Sequence, residues 1–176
     1  MEEYNYNLLA NYNRDVNCFM NSIIQGITSE EWDKQFPCFY KSIHEVCSHI
    51  YVSDFNWLKR FKSLKSFKSL NNNFFDKTYN FTEVLFSNNN EYITMRLELD
   101  NILINFIKEI ETDDLNKILN YSNSKGIHFE KRMGGLLVHM FNHETHHRAM
   151  ISIYLEMMGK ENDYNSILPF IYKQKA

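Results

Sequence analysis

Residues 133–159, MGGLLVHMFNHETHHRAMISIYLEMMG, carry the clearest helical pattern in the sequence. Apolar side chains recur in this stretch at steps of three and four residues, which is the spacing of one face of an α-helix. Gly159 follows the apolar pattern at a position where helices commonly end. The pattern predicts a long helix from about Met133 to Met158.

Three more apolar stripes with helical spacing precede this helix. Phe19 belongs to the first stripe and Leu97 to the third, and Pro37 separates the first stripe from the second. Four long helices on one core predict an all-α four-helix bundle, which we expect to be a single domain over residues 1–176. The three stripes run from Leu9 to Ile27, from about residue 39 to the low sixties, and from residues 87–90 to Glu111.

The segments between the predicted helices lack this regularity. Residues 62–81 begin with a repeated Lys-Ser pattern and then lose periodicity, which predicts a long connection. Before the last helix, Asn123, Ser124 and Gly126 form a turn-prone group between two short apolar runs, so we expect a short hairpin or an irregular loop there. The tail Ser166–Tyr172 is a candidate for a short helix that packs across the bundle.

The composition agrees with few, long elements. The chain has 176 residues with 5 Gly and 2 Pro, whereas average usage would give roughly 21 of the two together. Gly and Pro supply the turns that sheet-rich architectures need at short intervals. Their scarcity therefore favours helices.

Charge and cysteine content argue against several classes of protein. The net charge of -3 is far from the strongly basic balance of a dedicated nucleic-acid binder. No apolar run approaches the roughly 20 residues of a membrane span, and the polar, acidic start does not resemble a secretory signal. Cys18, Cys38 and Cys47 are odd in number and form no CxxC pair. We expect a cytoplasmic protein without a disulfide framework, with neither nucleic acid nor membrane as a partner.

Histidines cluster in the last predicted helix, where His139, His143, His146 and His147 fall within nine residues. His143 and His147 lie inside the apolar stripe, and their spacing places both rings on one face on successive turns. One helix gives two imidazoles to a metal ion with this spacing. A single such histidine is more simply a hydrogen-bonded core residue, but two neutral imidazoles side by side would each need a partner. His139 and His146 lie on the shoulder of the stripe.

A stable metal site needs a third ligand from another element. His44 and His49 on the second helix are the candidates, and His128 in the loop is a more distant one. His44 and His49 lie on opposite flanks of their stripe, each about 100° from Ile50. Periodicity therefore leaves the choice between them open.

The string FNHETHHRAM at residues 141–150, together with SHIYVSDFNWLKRF at residues 48–61, resembles the DinB family of DinB/YfiT-like metalloenzymes, named for damage-inducible bacterial proteins. ANYNR in the first helix, LNYSNSKG before the last helix and IYLEMMG at its end extend the likeness over most of the chain. The family string commonly continues with Arg, Gly and Gln, where this chain has Arg148, Ala149 and Met150. The resemblance implies a four-helix bundle with up-down-down-up topology.

The resemblance also implies a divalent metal ion held by three histidines, one from the second helix and two from the H-x3-H pattern of the fourth. At the matching positions these are His49, His143 and His147. Zinc and nickel both suit imidazole ligands, and three such ligands leave a coordination position open, as in catalytic zinc sites. The candidates for orienting the imidazoles, or for binding an anionic group, are Glu144, Asp54 and Arg148.

Relatives in the wider superfamily are transferases and isomerases that use low-molecular-weight thiols. The resemblance therefore implies a metal-dependent enzyme of the thiol-dependent transferase or hydrolase class, with a small-molecule substrate, a thiol cosubstrate and a homodimeric assembly. The alternative is a non-catalytic metal-binding or stress-response module in which the metal is structural or sensory.

A basic stretch at the end of the second helix offers a third function. Basic side chains interleaved with aromatic ones could bind nucleic acid or a membrane surface. The same pattern describes the solvated face of an ordinary amphipathic helix end, which we favour. The basic residues are Lys59, Arg60, Lys62, Lys65 and Lys68.

Overall fold

Four long helices form the frame of the molecule and confirm the predicted helical bundle. The structure is a computed structural model that describes residues 5–123, 125–163 and 166–171. Side chains of Asn5, Ser42 and Asn88 accept hydrogen bonds from the first-turn N–H groups of the first three helices, which satisfies donors that a helix start leaves open. The helices are α1 (Tyr6–Gln25), α2 (Ile43–Phe61), α3 (Asn89–Glu109) and α4 (Met133–Met157).

Contacts between the helices give the topology. Contacts between α2 and α3 advance in the same direction along both helices, and so do those between α1 and α4. Contacts of α1 with α3, and of α2 with α4, advance in opposite directions. The bundle is therefore up-down-down-up, as the family resemblance implies. The α2–α3 contacts are Asp54–Arg96 and Phe61–Phe106, and the α1–α4 contacts are Tyr6–Gly134 and Asn13–Arg148. The α1–α3 contacts are Ile24–Asn89 and Asn17–Asp100, and the α2–α4 contacts are His49–His143 and Trp57–His139.

Helix α2 begins at Ile43, a few residues after the predicted start near residue 39. Pro37 lies in a loop that the Phe36 N–H closes by donating to the Lys41 carbonyl at 2.6 Å. Ser42 then adopts extended backbone angles and caps the helix. The cap residue, more than the apolar stripe, determines where this helix starts.

A two-stranded antiparallel hairpin precedes α4. Of the two predicted forms of this segment, a short hairpin or an irregular loop, the structure has the hairpin. Strands β1 (Ile118–Ser122) and β2 (His128–Arg132) place Tyr121 opposite Phe129, with ring centroids 5.5 Å apart. Gly126 lies in the turn with φ of 75°, a left-handed conformation that glycine adopts without steric cost. Ser124 lies outside the described residues.

Shorter elements complete the chain. A helical turn at Ser29–Trp32 starts at a capping box of Thr28 and Glu31, and 3-10 turns occur at Asn73–Asp76 and Thr112–Asn116. The predicted tail helix is a single turn, Leu168–Ile171, and Tyr172 lies outside the described residues. In the described parts of the chain, no helix has both the length and the apolar character that crossing a bilayer requires.

A buried polar layer divides the apolar core into two clusters. Along α4, Leu137 belongs to one apolar cluster and Ile151 to the other, and the polar layer lies between them. This layer changes which side chains face inward. Leu97, predicted to face the core, is exposed because the adjacent Arg96 is turned inward. Phe19, also predicted in a core stripe, is 60% exposed.

Candidate metal centre

Helices α2 and α4 bring three imidazoles to one point. One ligand nitrogen from each of His49, His143 and His147 lies within 4.8 Å of the other two. The Nε2 atoms of His49 and His143 are 3.0 Å apart, and the rings of His143 and His147 have centroids 4.3 Å apart. These three residues could therefore hold a metal ion.

The local folding of two helices explains this convergence. On α4, His143 and His147 are one turn apart and project from the same face. Helix α2 runs antiparallel to α4 and carries His49 toward them, with its ring 4.6 Å from the His147 ring between centroids. Because both partners are rigid helices, the positions of the three rings are set by helix packing.

The other candidate ligands lie elsewhere. His44 directs Nδ1 to Asp33 at 2.8 Å and Nε2 to the Leu85 carbonyl, and its ring stacks on Trp32. His128 is exposed on β2. Periodicity could not separate His44 from His49, and the structure brings only His49 to the pair on α4.

The three imidazoles are poor proton acceptors in this setting. Burial, with the neighbouring His49, lowers the pKa of His143 to about 4. Burial, with His143 and His49, lowers the pKa of His147 to about 3. Burial also lowers the pKa of His49. All three rings are therefore neutral near pH 7, and each retains a nitrogen lone pair that a metal ion can accept.

The donor set fits a divalent ion. Metal–nitrogen bonds of about 2.0–2.1 Å hold neighbouring ligand nitrogens roughly 2.8–3.4 Å apart in octahedral or tetrahedral geometry. The Nε2 atoms of His49 and His143 already have such a separation. In the described part of the chain, the buried Nδ1 atoms of His143 and His147 have no hydrogen-bond partner.

The two sides of the site differ in access. The Tyr40 ring lies 4.6 Å from the His49 ring and meets the His147 ring edge-on at 5.4 Å, which covers one side. On the other side, His49 and His143 line a cavity of about 350 Å³. A small molecule can approach the imidazoles from this cavity.

The three predicted supporting residues belong to a buried ionic cluster beside the site. Arg96 donates through Nη1 to Asp54 at 2.8 Å and to Glu144 at 3.2 Å, and through Nη2 to Asp100 at 2.7 Å. Arg148 donates to the other oxygen of Glu144 at 3.0 Å. These hydrogen bonds direct Glu144, Asp54 and Arg148 toward one another and toward α3.

This ionic cluster joins all four helices. From α1, Asn13 accepts from Arg148, and Asn17 donates to both oxygens of Asp100 at 3.1 Å. Helix α2 contributes Asp54, α3 contributes Arg96 and Asp100, and α4 contributes Glu144 and Arg148. We call this set of seven residues the ionic cluster: Asn13, Asn17, Asp54, Arg96, Asp100, Glu144 and Arg148.

The charges of the ionic cluster balance if one carboxyl group is protonated, since it contains two arginines and three acids. Burial, with the nearby Glu144 charge, raises the pKa of Asp54 well above its ordinary value. Arg96 and the other polar neighbours instead hold the pKa of Glu144 below its ordinary value, against the effect of burial. Burial raises the pKa of Asp100 as well, so Asp54 and Asp100 favour the extra proton more than Glu144 does.

Sequence patterns did not reveal the centre of this cluster. Arg96 and Asp100 have the spacing of an ordinary surface ion pair on a helix, and charged residues are rarely buried. The indication in the sequence was that Arg96 lies next to Leu97 in the third apolar stripe, where the apolar spacing is irregular. Asn13 and Asn17 gave a similar signal, because they are polar residues one turn apart that directly follow the apolar positions Tyr12 and Val16.

Comparisons with known proteins agree with the fold and the likeness quoted above. A family model described as "DinB family" matches residues 1–167. The chain is 28% identical to Protein DinB of Bacillus subtilis (strain 168) over 181 residues, covering 98% of this chain and 95% of that protein. The crystal structure of a DinB-like protein from Bacillus subtilis superposes with a TM-score of 0.61 at 15% identity, covering 88% of this chain and 94% of the other. At that identity, the structural likeness supports the fold alone.

Proposed function

The chain belongs to the DinB family, and from this premise we propose that it is a metal-dependent enzyme in which His49, His143 and His147 hold one zinc or nickel ion. The observation that carries the proposal is the convergence of three neutral imidazoles, two of which, those of His49 and His143, line an open cavity. The proposed reaction is a thiol-dependent transfer to a small molecule, with hydrolysis as a variant of the same chemistry.

The chain's own residues have separate tasks in this proposal. His49, His143 and His147 bind the ion, and the ring of Tyr40 excludes water from the side that it covers. A bound divalent ion would act as a Lewis acid that lowers the pKa of a thiol or a water placed beside it. The cavity next to His49 and His143 admits the molecule that the thiol or water attacks.

An open coordination position supports a catalytic site over a structural one. Structural zinc sites are closed by four protein ligands, whereas catalytic sites keep one position for water or substrate. Among the described residues, no carboxylate or thiol joins the three imidazoles. Glu144, the nearest acid along α4, is held by Arg96 and Arg148, and His146 is exposed.

Metal content tests the binding step. We expect untagged protein to contain about one divalent ion per chain, and His49→Ala, His143→Ala and His147→Ala each to lose it. His146→Ala is the matched control, because His146 is exposed on the same helix and lies outside the three-imidazole group. Full metal content in all three ligand variants would disprove the proposal.

A turnover assay tests the catalytic step. Metal-loaded protein is mixed with low-molecular-weight thiols and electrophilic small molecules, and product is followed over time. We expect turnover that disappears in His147→Ala. A protein that binds its metal but gives no turnover with any thiol or with water would support the non-catalytic metal-binding module instead.

Homodimerisation is a further part of the proposal. Phe19 on α1, and Ile153 and Met157 on α4, are each more than half exposed. Large apolar side chains with this exposure suit burial between two copies. Light scattering on purified protein should give twice the monomer mass, and Phe19→Asp with Met157→Asp should reduce it to the monomer mass.

A further inference from the structure

Arg60 on the last turn of α2 is a cation held among aromatic rings. Its guanidinium carbon lies 4.7 Å from the ring of Trp57, 5.0 Å from that of Tyr121 and 5.5 Å from that of Phe81. These distances are typical of cation–π contacts. Since the same residues line the cavity beside His49 and His143, Arg60 forms part of its wall.

Among the described basic residues of its stretch, Arg60 is the one that lines this cavity. Lys65 contacts Glu111 and Asp114, and Lys59 donates to the Lys77 carbonyl and to Thr78. Within the described residues, no acid lies within ion-pair distance of Arg60, whose Nη2 donates to the Ser122 carbonyl at 3.3 Å. Burial lowers the pKa of Arg60, as expected for a cation without a carboxylate beside it.

Most of the donor capacity of Arg60 is therefore available to a ligand. A guanidinium has five N–H donors, and the hydrogen bond to Ser122 uses one of them. The two cluster arginines, Arg96 and Arg148, instead direct their donors at protein carboxylates and amides. A half-buried arginine with unused donors in a cavity is electrostatically complementary to an anion.

The shape and lining of the cavity narrow the class of ligand. At about 350 Å³, the cavity is at the small end of the ~300–1,000 Å³ range of ligand pockets. The rings of Trp57, Phe81, Tyr121 and Phe129 line it and favour a flat apolar body. Among the described residues that line it, Arg60 is the only Lys or Arg, so the cavity suits a single negative charge better than a phosphate dianion.

We propose that this cavity binds a small aromatic or unsaturated monocarboxylate. The carboxylate pairs with Arg60, the flat body lies between the aromatic rings, and the far end reaches His49 and His143. Arg60 is thus the residue that selects the ligand. The statement that this ligand is the substrate rests on the proposed function, whereas its binding does not require the metal.

Binding to metal-free protein tests the inference directly. Protein treated with chelator is titrated with benzoate and with benzamide, its neutral analogue of the same shape, and binding is followed by calorimetry and by tryptophan fluorescence, to which Trp57 in the cavity wall contributes. We expect benzoate to bind about tenfold or more tightly than benzamide, as for a hydrogen bond to a charged group. Phenyl phosphate should bind more weakly than benzoate.

Variants assign the effect to Arg60. Arg60→Gln should remove the preference for benzoate, whereas Arg60→Lys should retain part of it because the charge remains without the planar fork. Lys68→Gln is the matched control, since Lys68 is exposed in the same basic stretch. Metal uptake by Arg60→Gln, measured separately, shows that the bundle and its three imidazoles are intact.

Two results would overturn the inference. One is equal binding of benzoate and benzamide, and the other is an unchanged benzoate preference in Arg60→Gln. His147→Ala separates this outcome from failure of the proposed function, because His147 belongs to the metal group but does not line the cavity. In that variant metal binding should be lost while the benzoate preference of the metal-free protein remains.

Discussion

The bundle holds two polar groups side by side, the ionic cluster and the three imidazoles. Only in the ionic cluster do opposite charges of the protein pair with one another. In the ionic cluster, Arg96 and Arg148 face the carboxylates of Asp54, Asp100 and Glu144 at 2.7–3.2 Å. In the imidazole group, nitrogen atoms that can each bind a metal ion point toward one another. The charged groups of the ionic cluster pair with one another inside the protein, whereas the imidazoles offer nitrogen lone pairs to a ligand from outside.

Neighbouring residues on α4 serve these two groups alternately. His143 is followed by Glu144, and His147 by Arg148, so each turn contributes one residue to each group. Consecutive residues on a helix point about 100° apart, which separates the two groups around α4. One helix therefore provides both buried ion pairs and ligand atoms that face a cavity.

The largest expected effect comes from removing the centre of the ionic cluster. Arg96→Met leaves Asp54, Asp100 and Glu144 buried without their common partner, and breaking a buried ion pair in this way costs about 3–5 kcal/mol. We expect a loss of this size in the free energy of unfolding, measured with urea on metal-free protein.

A surface variant provides the control for this loss. Arg14→Met removes the Arg14–Asp15 pair, whose side chains are both about one third exposed, and exposed pairs contribute about 0–1 kcal/mol. If Arg96→Met were no more destabilising than Arg14→Met, the ionic cluster would not stabilise the bundle.

The imidazole group was more predictable from the sequence than the ionic cluster, for a physical reason. His143 and His147 share one helix, so their spacing alone places them together. His49 comes from another helix, and periodicity left it equal with His44 until the family likeness selected it. The ionic cluster combines side chains of four helices around Arg96, and its members become neighbours only when the helices pack. No local pattern carries that information.

The second prediction concerns the stabilisation that a metal provides. A ligand that binds only the folded state at 100 times its Kd adds about 2.7 kcal/mol to the free energy of unfolding. We expect zinc or nickel to raise the Tm of the wild-type protein and to leave that of His147→Ala unchanged. Equal shifts in the two proteins would mean that the ion binds elsewhere.

The third prediction concerns the pH dependence of the free energy of unfolding of metal-free protein, which should have opposite signs for the imidazole group and the ionic cluster. In the folded protein, burial lowers the pKa of His143 from its ordinary value of 6.5 to about 4. As pH falls through this window, the unfolded chain binds the proton first, which favours unfolding. Relative to His143→Ala, the wild type should lose on the order of 1 kcal/mol between pH 6.5 and 5, since solvent screening reduces the full effect.

The contribution of Asp54 to the pH dependence of stability should have the opposite sign to that of His143. Its pKa in the folded protein is raised by burial and by Glu144, so its protonated form stabilises the fold and this contribution is lost as pH rises. The stability of the wild type relative to Asp54→Asn should therefore fall as pH rises. Urea unfolding of both pairs across pH 5–8 measures the two slopes, and slopes of the same sign would contradict the assignment.

The smallest expected effect comes from His44, the ligand candidate that periodicity could not exclude. Its two ring nitrogens already contact Asp33 and the Leu85 carbonyl, so neither is available to a metal ion. His44→Ala should cost about 1 kcal/mol through these hydrogen bonds and should leave the metal content unchanged, in contrast to His49→Ala. Loss of metal from His44→Ala, with the fold intact by circular dichroism, would reverse the assignment of the third ligand.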